Sequence, residues 1–109
     1  MSKPHNTADA ALVFSALGDD TRLSLVKKLG AGASLSATSL ASGARVTRQA
    51  VTKHLRVLED AGLVRHHKEG REVLYALEHK RVDDARVFLD GISAGWDRAI
   101  ARLKTLVEK

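Results

Sequence analysis

The chain has 109 residues, no cysteine, a single proline and a net charge of +5. That length fits one domain. The missing thiols exclude a disulfide framework and any cysteine-held metal. No segment approaches the roughly 20 apolar residues of a membrane span, or carries the apolar centre of a signal peptide, so a cytoplasmic protein is expected.

The polar residues 1–7 read as a flexible tail, leaving 8–109 as the folded domain. Residues 8–17 are alanine-rich and helical by propensity, and Gly18 ends them. Asp19 or Asp20 then caps a second helix running to Leu29, with Lys27 and Lys28 near its C-terminal end. Ser36 is the N-cap of a short third helix over residues 37–42, closed by Gly43. Thr47 is the N-cap of a fourth helix over 48–61, and Gly62 follows as its terminator. Residues 63–68 and 72–77 alternate as strands, joined by a turn at Glu69-Gly70-Arg71. The helical pattern returns over 82–108. The expected architecture is mainly α with a β-hairpin wing, a winged helix-turn-helix in the order α-α-α-α-β-β-α.

Charge and periodicity single out the fourth helix. Residues 45–71 carry Arg45, Arg48, Lys53, Arg56, Arg65, Lys68 and Arg71 against Glu59, Asp60 and Glu69, which places +4 of the chain's +5 in one segment. Such a patch is the footprint of a phosphate-binding surface. Val51, Leu55 and Leu58 form one narrow apolar stripe. Thr52, Arg56, Gln49 and Lys53 fall roughly 100–200° away from it at 3.6 residues per turn. Glutamine matches an adenine edge, while arginine and lysine match guanine, so this face suits a DNA major groove. Thr47 and Arg48 open the helix where free N–H groups favour a phosphate. His54 lies beside the apolar stripe and reads as a packing residue, with Val57 as a flank contact. In the hairpin, Arg65, His66, His67, Lys68 and Arg71 suit a phosphate backbone or a narrow minor groove, with Arg71 at the tip.

The last helix carries Phe88, Leu89, Ile92, Trp96, Ile100, Leu103, Leu106 and Val107 on a stripe about 120° wide at 3.6 residues per turn. It is too long for a small helix-turn-helix core to cover, so part of it should meet a partner protomer, with Trp96 as anchor. Gly91 and Gly95 disfavour the helix and leave a break there open.

Residues 14–23 (FSALGDDTRL), 46–64 (VTRQAVTKHLRVLEDAGLV) and 70–75 (GREVLY) together resemble the ArsR/SmtB family of winged-helix repressors. The resemblance implies a homodimer on a palindromic operator in double-stranded DNA, with the first and last helices at the dimer interface. That interface would take in Leu12, Phe88, Ile92, Trp96, Ile100 and Leu103. The family's DNA contacts carry over to Thr47, Arg48, Gln49, Thr52, Lys53 and Arg56, and on the wing to Arg71 and Lys68. Many members hold metal through cysteines at the third helix, where this chain has Ser34 to Ala41 without a thiol. Others pair aspartate and histidine on the last helices. Here Asp83, Asp84, Asp90 and Asp97 have no histidine after His79. The resemblance is therefore to the branch without a metal site, and neither metal nor cofactor nor a particular effector is implied.

Two other readings compete. A winged helix can serve as a protein-interaction module that leaves its basic face unused. Some of His5, His54, His66, His67 and His79 could form a metal sensor, although His66 and His67 are adjacent and point to opposite faces of a strand. An enzyme is not expected, since no nucleophile–base pair or glycine-rich phosphate loop is present.

Overall fold

The structure is a computed structural model that describes residues 7–43 and 45–107. Its elements are α1 (Thr7–Leu17), α2 (Asp20–Leu29), β1 (Leu35–Ser36), α3 (Ala37–Ala41), α4 (Arg48–Asp60), β2 (Val64–Glu69), β3 (Glu72–Leu77) and α5 (His79–Val107). The expected winged helix-turn-helix is present, with one addition to its order. Leu35 and Ser36 pair antiparallel with Tyr75 and Leu74, making a third strand on the free edge of the hairpin. The sheet order is β1-β3-β2. Residues 1–6, which hold most of the expected tail and His5, lie outside the described residues, as does Glu108.

Side-chain caps set the helix starts. The Asp19 carboxylate accepts the Arg22 backbone N–H at 3.0 Å, Ser36 Oγ that of Ser39 at 3.1 Å, and Thr47 Oγ1 that of Ala50 at 3.1 Å. The end of α4 is a Schellman motif. Leu63 N–H donates to the Leu58 carbonyl and Gly62 N–H to that of Glu59. Gly62 takes φ +80°, a left-handed conformation that favours glycine, and a Cβ there would sit 2.8 Å from Arg81 Nε, which would have to swing aside. Arg81 also reaches Asp9 at 3.9 Å, tying the start of α5 to α1. In the hairpin Glu69 pairs with Glu72, and Gly70 at φ +65° is the only central residue with positive φ, as in a type II′ turn.

The core joins Val13 and Ala16 of α1, Leu25 and Leu29 of α2, Leu40 of α3, and Val51, Leu55 and Leu58 of α4 to Leu63, Val64 and Leu77 from the hairpin. Helix α5 differs. It begins at His79, three residues earlier than its periodicity suggests, and passes Gly91 and Gly95 without a break. Its 29 residues span about 44 Å at 1.5 Å per residue, and none of them is fully buried. Phe88 is half-buried against Phe14, with ring centroids 6.1 Å apart, but Leu89, Ile92, Trp96, Ile100, Leu103, Leu106 and Val107 are exposed, as is Leu12 on α1. The radius of gyration is 18.0 Å, against about 13 Å for a compact chain of this size.

Candidate nucleic-acid interface

Helix α4 is held by its apolar stripe. Val51, Leu55 and Leu58 are fully buried, while Thr47, Arg48, Gln49, Thr52, Lys53 and Arg56 are all exposed. The six residues therefore form one outward surface, over the N-terminal two-thirds of the helix. Val57 is also exposed, at 41%. Among these residues only Thr47, the cap, and Thr52 have a side-chain hydrogen bond of their own. Thr52 Oγ1 donates to the Arg48 carbonyl at 3.0 Å.

A groove of about 530 Å³ connects this surface to the wing. Arg48 and Thr52 line one wall and Arg71, Glu72, Val73 and Tyr75 another, with Ser36, Ala37, Thr38 and Ser39 at its end. Arg71 thus shares one concave side with Arg48 and Thr52, while Thr47, Gln49, Lys53 and Arg56 do not line it. Lys68 is exposed on β2, the outer strand of the hairpin, and does not line the groove. Ser36, Thr38, Ser39 and Tyr75 were absent from the sequence-derived set. They are brought there by the β1–β3 pairing, which no local pattern announces. Arg45, in the turn before α4, is exposed and lines a smaller depression with Asp20, Lys28 and Val46.

His54, His66 and His67 are engaged elsewhere. His54 is half-buried, as its angle beside the apolar stripe suggests, and its Nδ1 lies 3.3 Å from Arg22 Nη1. Because a guanidinium only donates, that ring nitrogen accepts. Arg22 is anchored in turn by its Nε, which donates to the Ala16 carbonyl at 2.6 Å. This bracket ties α4 to the α1–α2 corner. The hydrogen bond from Arg22 N–H holds the Asp19 carboxyl below its ordinary value, and the charge of Arg22 adds to this. On the wing, His66 Nδ1 donates to Glu59 Oε2 at 2.6 Å and His67 Nε2 to Glu69 Oε2 at 3.2 Å. Arg65 pairs with Glu78 at 3.1 Å, so three of the basic wing groups, Arg65, His66 and His67, are turned toward carboxylates. Among the described residues, no three His, Cys, Asp or Glu side chains gather into a potential metal site. Among the same residues, no helix is long and apolar enough to cross a membrane.

Residues 17–67 match the family model described as a helix-turn-helix domain. An ArsR-like transcriptional regulator from Rhodococcus sp. RHA1 superposes with a TM-score of 0.81 at 41% identity, covering 91% of this chain and 92% of that one. The chain belongs to the ArsR family of winged-helix transcriptional regulators. An HTH-type transcriptional regulator of Mycobacterium tuberculosis is 34% identical over 95 residues, covering 87% of this ArsR-family chain and 85% of that protein. A homolog of the cadmium resistance regulator CadC from Staphylococcus aureus is 34% identical over 77 residues, 71% of this chain. That match spans 64% of the CadC homolog's length.

Proposed function

We propose that this protein is a transcriptional repressor that binds an inverted-repeat site in duplex DNA as a homodimer. The observation that carries the reading is the two-sidedness of α4, whose apolar stripe is sealed in the core while Gln49, Thr52, Lys53 and Arg56 face outward beside the wing. Inserted in a major groove, α4 offers Gln49, Thr52, Lys53 and Arg56 to base edges, and Thr47 and Arg48 to the backbone at its N-terminus. Arg71 and Lys68 then meet phosphates beside the groove. The second protomer is assigned to the uncovered stripe of α5, with Ile92, Trp96, Ile100 and Leu103 as its centre and Leu12 and Phe88 at its edge. Trp96 is 66% exposed and Ile100 58%, an arrangement a solitary soluble domain seldom keeps.

Selection of bound duplexes from a random pool tests the reading, together with sedimentation of the free protein. The expected results are a dimer and an enriched inverted repeat with half-site centres about 10 base pairs apart, or a multiple of that. Retention that is indifferent to sequence, or a monomer that selects single half-sites, would overturn it.

A further inference from the structure

We infer that Thr52 selects an amino-bearing base, adenine or cytosine, at one position of each half-site, because its hydroxyl proton is already committed within the helix. The inference rests on the proposal that α4 enters the major groove.

Thr52 is exposed and lines the groove that runs between Arg48 and Arg71. Its Oγ1 stands 3.0 Å from the backbone carbonyl of Arg48, one turn earlier. A carbonyl has no proton to give, so the hydroxyl donates its single one there. Branching at Cβ limits the rotamers open to threonine in a helix, and this hydrogen bond to the i−4 carbonyl is one of the two it prefers. What remains on Oγ1 is lone pairs alone.

An acceptor facing the major groove discriminates by polarity. The N6 amino group of adenine and the N4 amino group of cytosine can donate to it. The O6 of guanine and the O4 of thymine present lone pairs to lone pairs, and both groups lose hydrogen bonds to water without replacement. Gln49 and Lys53 do not share this restriction of sign in the same way. The Gln49 amide both donates and accepts, and the Lys53 ammonium only donates. Thr52 is thus the acceptor-only member of the base-facing set, and it supplies the preference that lysine and arginine cannot.

The test uses the full chain and the duplex recovered by selection. Affinities are measured for that duplex and for variants carrying each base pair at every half-site position, with wild type, Thr52→Val and Thr52→Ser. Valine keeps the branched shape and removes the acceptor; serine keeps the hydroxyl. The expected result is one position per half-site at which wild type and Thr52→Ser prefer adenine or cytosine by roughly 2- to 10-fold, the span of one hydrogen bond. Thr52→Val should lose that preference there and keep the others. A duplex whose base at that position lacks the exocyclic amino group should weaken wild type by the same factor and leave Thr52→Val unchanged. A preference table identical in wild type and Thr52→Val overturns the inference, as does a Thr52-dependent position that favours guanine or thymine. In both cases the selected inverted repeat would still stand. If wild type enriches no sequence at all, the DNA reading itself fails and this inference with it.

Discussion

Helices α4 and α5 carry the same kind of sequence and have opposite fates. Each has an apolar stripe at helical spacing with charged residues on the other faces. In α4 the stripe is short, and Val51, Leu55 and Leu58 disappear completely into a core built by every other element of the body. In α5 the stripe runs along a helix more than twice as long, and only its first part meets the body, through Arg81 on Asp9, Val82 and Ala85 on the core and Phe88 on Phe14. Beyond that, Trp96, Ile100, Leu103 and Leu106 lie open. Periodicity identifies the face of a helix that will leave water, but the identity of the covering surface depends on how far the helix extends past its own domain.

Five substitutions would break or sharpen that contrast. Leu55→Ala should destabilise the fold by about 2–5 kcal/mol, because a fully buried leucine leaves a cavity; denaturant unfolding reads it, with a loss below about 1 kcal/mol removing the claim that the α4 stripe is sealed in the core. Trp96→Ala should act on association, raising the dimer dissociation constant about 30-fold or more, the scale of an interface anchor. Equilibrium sedimentation measures this, and an unchanged constant would place the contact elsewhere.

The outward face of α4 should respond differently from the wing. Gln49→Ala should cost about 1–3 kcal/mol on the selected site and relax preference at its own position. Arg71→Ala should weaken all sequences alike and lower the slope of log affinity against log salt by about 1. Equal loss of discrimination from both would erase the distinction between base reading and phosphate positioning.

The smallest effect should come from pH. The folded Asp19 carboxyl titrates below its ordinary value, chiefly because Arg22 N–H donates to it. Its contribution is present above the unfolded carboxylate range near pH 4 and is lost as pH falls through the lower folded value. Asp19→Asn should remove part of the acid-side loss of stability and leave neutral-pH stability nearly unchanged, since asparagine also caps helices. An identical acid profile for both proteins would detach Asp19 from that transition.

Most of the local architecture is legible in the amino-acid string, because caps, terminators and turns act over a few residues. Asp19, Ser36 and Thr47 start helices through hydrogen bonds three residues ahead, and Gly62 and Gly70 take backbone angles that other residues resist. The polar face of α4 follows from the same arithmetic. The strand β1 does not, since two residues have no periodicity of their own and pair only because β3 leaves an edge open. The Arg22–His54 bracket joins positions 32 residues apart, a separation at which local patterns are silent. The groove that unites Arg48 and Thr52 with Arg71 and Tyr75 is of the same kind. The chain's own order therefore decided which helices form and which of their faces are greasy. Packing alone decided which residues from distant segments stand side by side and where α5 leaves its domain, because those contacts depend on how the elements close on one another in space.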